Sequence, residues 1–181
     1  MKRLLGLCLI LISLAAGAQQ YVTTTGKTHF FSSTPLEDIE ATTIKTVCAF
    51  NTDSRKVSAN IAIKSFDFKD DLMEAHFNEN YLESDKYPNA KLSGEVVGDI
   101  DFKKDGVYDV SVKGKLDLHG VVQDRDIPCK LTVKDGMPTN VTAVFDITLA
   151  DHKIKIPKAL FTNIAEVIKV DLSYDLVTYT K

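Results

Sequence analysis

The sequence predicts an all-β fold: about eight antiparallel strands, closed into a barrel with the apolar face inward, and two short helices. Three observations carry this. Apolar residues recur at every second position over most of the chain, which is the period of a strand with one dry and one wet face. Asp-Gly pairs stand between alternating runs at Asp105-Gly106 and Asp135-Gly136, where tight hairpins need residues that tolerate positive φ. Finally, the strands are too charged to face lipid, because a membrane barrel needs an outer apolar band bounded by aromatic girdles.

The elements follow in chain order. Lys2 and Arg3 precede an apolar run over 4–14 that ends in Ala16-Gly17-Ala18. That is the layout of a secretory signal peptide cleaved near Ala18, and the run is short for a membrane span of roughly 20 residues. The expected organisation is therefore a signal peptide over 1–18 and one barrel domain over 19–181, periplasmic or secreted. Segments 27–33 and 42–50 are rich in Thr, Phe and Val but alternate poorly. Val57, Ala59, Ile61 and Ile63 alternate cleanly, and 92–100 is a shorter strand.

Asp70-Asp71 offers a cap to a helix carrying Leu72, Met73, His76 and Phe77 as far as Asn80. Val110, Val112, Leu116 and Leu118 form one face of the next strand, with Asp109, Ser111, Lys113, Lys115 and Asp117 on the other. The same alternation runs through Ile127–Val133, Val141–Leu149 and Ile168–Leu176. Pro157 presets the first turn of a second helix containing Leu160, Phe161 and Ile164.

The 181 residues include 22 basic and 25 acidic side chains, for a net charge of −3. One domain accommodates that length. Loss of Lys2 and Arg3 with the leader leaves 20 basic against 25 acidic residues, a balance of −5. The basic residues are scattered singly, so the footprint of a nucleic-acid binder is absent. A monomer and a dimer fit this surface equally well. In an oxidising compartment Cys48 and Cys129 either pair or serve as small buried apolar residues, and spacing does not choose between them. His29, His76, His119 and His152 stand far apart with no metal-ligand spacing. No Ser-His-Asp set is recognisable, and Gly94–Gly98 lacks the strand-to-helix setting of a phosphate cradle. No metal, cofactor or catalytic residue is therefore expected.

A barrel of eight strands is either filled by its own side chains or holds one small ligand. The inward faces and the two helices nominate Phe66, Phe68, Leu72, Met73, Phe77, Tyr81, Val112, Leu116, Phe145, Leu160, Phe161 and Tyr174 as ligand contacts, with ordinary core packing as the other reading of each. His119, beside Gly120, reads as a hydrogen-bonding residue at a strand end, and Tyr87-Pro88 as a turn whose tyrosine could close the mouth.

The stretch Asp71-Leu72-Met73-Glu74-Ala75-His76-Phe77 through Tyr81-Leu82-Glu83-Ser84-Asp85-Lys86-Tyr87-Pro88-Asn89-Ala90 resembles the helix-and-turn segment of the YceI-like family. Downstream, Gly114-Lys115-Leu116-Asp117-Leu118-His119-Gly120-Val121 followed by Ile127-Pro128 is similar to that family's second signature. Both occur in the family's order, and the resemblance spans about residues 21–180; the compact length and short Asp105-Gly106 turn match its smaller members. The resemblance implies a lipocalin-like periplasmic barrel that holds a polyisoprenoid, an isoprenoid quinone or a fatty-acid derivative for transport, storage or sequestration, with no shared catalytic reaction. Two other readings stay open: an enzyme acting on a lipid-like substrate through His119 or His76, and a stress-related structural domain with a filled core.

Overall fold

A computed structural model describes residues 19–35, 38–156 and 164–180. Ten strands form: β1 (Gln20–Ser33), β2 (Asp38–Asn51), β3 (Lys56–Ala62), β4 (Asp67–Phe68), β5 (Asn89–Val97), β6 (Gly106–Leu118), β7 (Val121–Lys134), β8 (Met137–Thr148), β9 (Val167–Asp175) and β10 (Val177–Thr178). Eight of them make an antiparallel ring in the order β1, β9, β8, β7, β6, β5, β3, β2, closed by pairing of β2 with β1. The two-residue strands β4 and β10 extend the edges beside β2 and β1. The expected eight-stranded barrel is thus the observed one, with a seam where residues 121–128 of β7 and 144–148 of β8 do not pair with each other.

Why β1 and β2 alternate poorly is now visible. In β1 the inward residues are Tyr21 and Thr23, then Gly26, Thr28 and Ser32; in β2 they are Ile39, Ala41 and Thr43, then Thr46, Cys48 and Phe50. Each strand changes phase once, because register shifts lie between Thr23 and Gly26 and between Gly26 and Thr28 of β1, facing Thr46 and Thr43 of β2. An extra residue on one strand and then on the other is a pair of β-bulges, which bend and twist the ribbon.

Two tight hairpins carry the turn chemistry. Asp135 (φ 51°) and Gly136 (φ 78°) link β7 to β8 as expected. His119 (φ 54°) and Gly120 (φ 70°) link β6 to β7 in the same way, so this pair is a full hairpin turn rather than a bend at a strand end. Asp105-Gly106 is not a hairpin turn. The connection from β5 occupies residues 98–105, and β6 runs past the end of β5, whose last pair is Val97 with Ser111, to pair Gly106 with Val133 of β7. Asp105 instead accepts the Asp135 N–H at 2.9 Å.

Helix α1 (Asp71–His76) starts where its cap predicts, the Asp70 carboxylate accepting the Met73 N–H at 2.7 Å. It continues through Tyr81 as one wider turn, closed by Leu82 N–H donating to the Phe77 carbonyl. The second helix expected from Pro157 lies outside the described residues, as does the leader over 1–18.

The interior divides in two. At one end Phe50, Val96, Ile100, Val110, Val112, Ile127, Leu131 and Val133 pack solidly. At the other, Ile39, Ile63, Tyr81, Leu82, Ala90, Leu116 and Leu118 surround a less filled space under α1. Cys48 and Cys129 are free, buried thiols; burial pushes them up to about 12 and about 11 respectively, so they stay protonated.

Candidate ligand-binding cavity

The less filled half contains a cavity of about 150 Å³. Its walls come from β1 (Phe30), β3 (Ile61), β5 (Ala90), β6 (Leu116, Leu118), β8 (Phe145, Ile147) and β9 (Ile168, Val170), and its roof from Met73, Phe77 and Tyr81. Four phenylalanines close the roof onto the wall. Phe30 stacks on Phe77 (centroids 5.3 Å apart, 14° between planes) and meets Phe66 and Phe68 edge-on at 5.3 and 5.8 Å. Such pairs add about 0.5–1.5 kcal/mol each beyond the area they bury. A buried polar cluster lies beneath the floor: the Thr28 hydroxyl bonds those of Thr46 (2.8 Å) and Tyr174 (2.9 Å). Burial pushes the Tyr174 phenol up to about 12, so it remains a donor. Depressions on the outer face are larger, about 730 Å³ between β2, β3 and β5, but they lie open and are lined by Lys56, Ser58, Ser93 and Glu95. They bury less of a ligand than the apolar site inside the barrel.

A polar junction stands beside the cavity. His119 Nδ1 donates to the His152 carbonyl (3.1 Å), while His119 Nε2 faces the Glu83 carboxylate (2.8 Å). The Tyr87 ring packs on His119 (4.4 Å) and lies where a Cβ on Gly120 would fall. His152, fully buried in the short helix over Leu149–His152, donates from Nδ1 to the Val121 carbonyl (3.1 Å), which leaves Nε2 to accept from Arg125 Nη2 (3.3 Å). Burial holds this ring below the usual imidazole value, its bond to Val121 opposing and the Arg125 charge reinforcing that shift. A depressed folded-state value means the unfolded chain takes up the proton first as pH falls, so the stability tied to neutral His152 is present above about pH 6.5 and is lost below it. Melting temperatures at pH 7.5 and pH 5.5 should therefore differ more for the wild type than for His152→Gln; equal differences would remove His152 from the pH response.

Of the residues nominated from sequence, Phe66, Phe68, Met73, Phe77, Tyr81, Leu116 and Phe145 face the cavity. Leu72 does not: it is 64% exposed, because the inward stripe of the helix runs through Met73, Phe77 and Tyr81 at a spacing of four and Leu72 falls one residue, about 100°, out of phase. Val112 belongs to the solid half of the core. Tyr174 lies under the floor and reaches the cavity through the Thr28 hydroxyl. Leu160 and Phe161 lie outside the described residues. Phe30, Ile63, Ala90 and Ile154 line the cavity without having been nominated; the bulge obscures the phase of Phe30, and Ala90 opens β5 too soon for alternation to mark it.

The signature of the YceI-like domain matches residues 16–176. The chain belongs to the YceI-like family. No curated protein matches the chain, but solved structures do. A polyisoprenoid binding domain from Saccharophagus degradans, implicated in plant cell wall breakdown, is similar over 90% of this chain and 99% of its own (TM-score 0.70, 16% identity). BcnA of Burkholderia cenocepacia is similar over 86% and 96% (0.65, 17%), and the YceI protein of Campylobacter jejuni over 76% and 81% (0.56, 17%). At these identities the likeness is one of fold. Within this YceI-like chain the Leu-His-Gly-Val signature is the β6–β7 turn with its His119 junction. No helix among the described residues is long and apolar enough to cross a membrane.

Proposed function

We propose that this YceI-like protein is an exported lipid-binding protein that holds a long-chain amphiphile, of the polyisoprenoid, isoprenoid-quinone or fatty-acid kind, between barrel and helical roof, for transport, storage or sequestration. The observation that carries the reading is a cavity of about 150 Å³ inside the barrel with almost wholly hydrocarbon walls. A dry cavity of this size is large enough for a benzene-sized body, whereas sites for larger ligands span roughly 300–1,000 Å³. A long chain therefore enters by displacing the roof, whose first turns over Asp71–His76 contain no buried residue, Tyr81 beyond them being buried. Each buried methylene contributes about 0.8 kcal/mol, so ten carbons approach the roughly 8 kcal/mol of micromolar affinity. The polyisoprenoid-binding relative supports the ligand class, and the leader-like segment over 1–18 supports export.

A binding role is favoured over catalysis at His119, because that ring commits both nitrogens to protein partners. The filled-core reading applies to one half of the barrel only. Native mass spectrometry of protein purified without detergent, with titration of a fluorescent fatty acid, tests the proposal. A co-purifying hydrophobic mass or micromolar binding is expected; an unliganded mass together with no binding overturns it.

A further inference from the structure

We infer that Arg125 is the receptor for an anionic head group, a carboxylate or phosphate, on the amphiphile whose tail occupies the cavity; this rests on the lipid-binding reading above.

The barrel wall is interrupted beside Arg125. Pairing between β7 and β8 runs from Lys134–Met137 to Cys129–Ala143 and stops there, at the residue next to Pro128, which has no N–H to offer a ladder. Beyond it, residues 121–128 of β7 pair with β6 alone, and residues 144–148 of β8 pair with β9 alone. The short helix over Leu149–His152 bridges the seam through side chains: Gln123 donates to the Asp151 carbonyl (2.8 Å), and His152 to that of Val121. Leu149 and Ile154, on either side of His152, both line the cavity. The seam is thus a polar strip at the edge of the cavity, set against it by Leu149 and Ile154, while its own polar side chains are not among the residues that line the cavity.

Arg125 sits in this strip on the inner face. Its neighbour across β6 is Gly114, in the row beside the pair Leu116–Gln123, and Leu116 lines the cavity. The side chain is 21% exposed. Its Nε is buried with no hydrogen-bond partner among the described residues. Nη2 has the ring nitrogen of neutral His152 at 3.3 Å and the Asp151 carboxylate only at 3.8 Å. A guanidinium presents a planar fork suited to two oxygens of one anion, and here part of that fork is unused while the adjacent carboxylate is loosely held and about half exposed. A head group arriving through the seam takes the free Nε–H and displaces Asp151 toward water.

Decanoate, 1-decanol and inorganic phosphate are the probes. Arg125→Gln should weaken decanoate binding ten- to hundredfold and leave decanol within twofold; phosphate alone should not compete at concentrations where decanoate binds. Bound [1-13C]decanoate on the wild type should stay ionised at pH values where the free acid protonates, which requires no variant. The inference is overturned if R125Q changes both ligands alike or neither, if the bound carboxyl titrates as in water, or if phosphate competes as well as decanoate, which would make the site one for free anions. Should neither decanoate nor decanol bind the wild type, the cavity reading falls and this inference with it; decanol binding with an R125Q-insensitive decanoate sinks the head-group assignment alone.

Discussion

Gly114→Ala is expected to lower the melting temperature by roughly 6–12 °C, the equivalent of about 3 kcal/mol in a domain of this size. Gly114 of β6 lies directly opposite Gly94 of β5. A Cβ on Gly114 would come 2.2 Å from the Ser93 carbonyl oxygen and 2.6 Å from the Gly94 Cα. Both are backbone atoms, so no rotamer change relieves the contact, and the two strands must move apart. Only a residue without a side chain permits this approach, between Val112 of one half of the core and Leu116 of the other. Thermal unfolding followed by circular dichroism reads the effect, and a variant that melts within two degrees of the wild type would show that the sheet can open there without penalty.

Ala90→Phe should abolish binding while leaving the barrel folded. Ala90 is buried on β5 and faces the cavity. The substitution adds one phenyl ring, the body that an apolar cavity of about 150 Å³ accommodates. The new ring meets Leu116, Leu118 and Ile63, so it gains contacts where the wild type has a void, and overpacking strain of the usual 1–3 kcal/mol is largely avoided. A ligand loses that same volume. If half of ten buried carbons are excluded, about 4 kcal/mol is lost, so affinity for a fatty-acid probe falls by about a hundredfold or more. Retained affinity in a folded A90F protein would place the ligand elsewhere.

Local signals were readable where one force dominates. On β6 the alternation of Val110, Val112, Leu116 and Leu118 with charged neighbours gives strand and face without ambiguity, because burial on one side is the only constraint. The cap at Asp70 and the spacing of Met73 and Phe77 likewise located the helix over the cavity, with Leu72 wrongly included on its inner face. Legibility failed where backbone geometry competes with pattern. The bulges of β1 and β2 shift the phase within each strand and hid Phe30. His119 adopts the left-handed conformation that Asn, Asp and Gly occupy most often, so its composition does not mark the hairpin turn it makes, while Asp105-Gly106 carries the composition of a hairpin without the pairing. Contacts across the fold left no local trace: His119 meets Glu83 from 36 positions away and His152 from 33. Arg125 gave no signal either, since one arginine among alternating polar residues looks like any solvated position.

The ring is joined between its first strand and its ninth, and the Thr28–Tyr174 bond alone spans 146 positions. Such closure makes assembly an event of the whole chain: a growing polypeptide that lacks residues 167–175 holds two unsatisfied strand borders and cannot seal. Non-local topology of this kind folds slowly, so a lengthy interval with unpaired strand borders precedes the sealing of the ring.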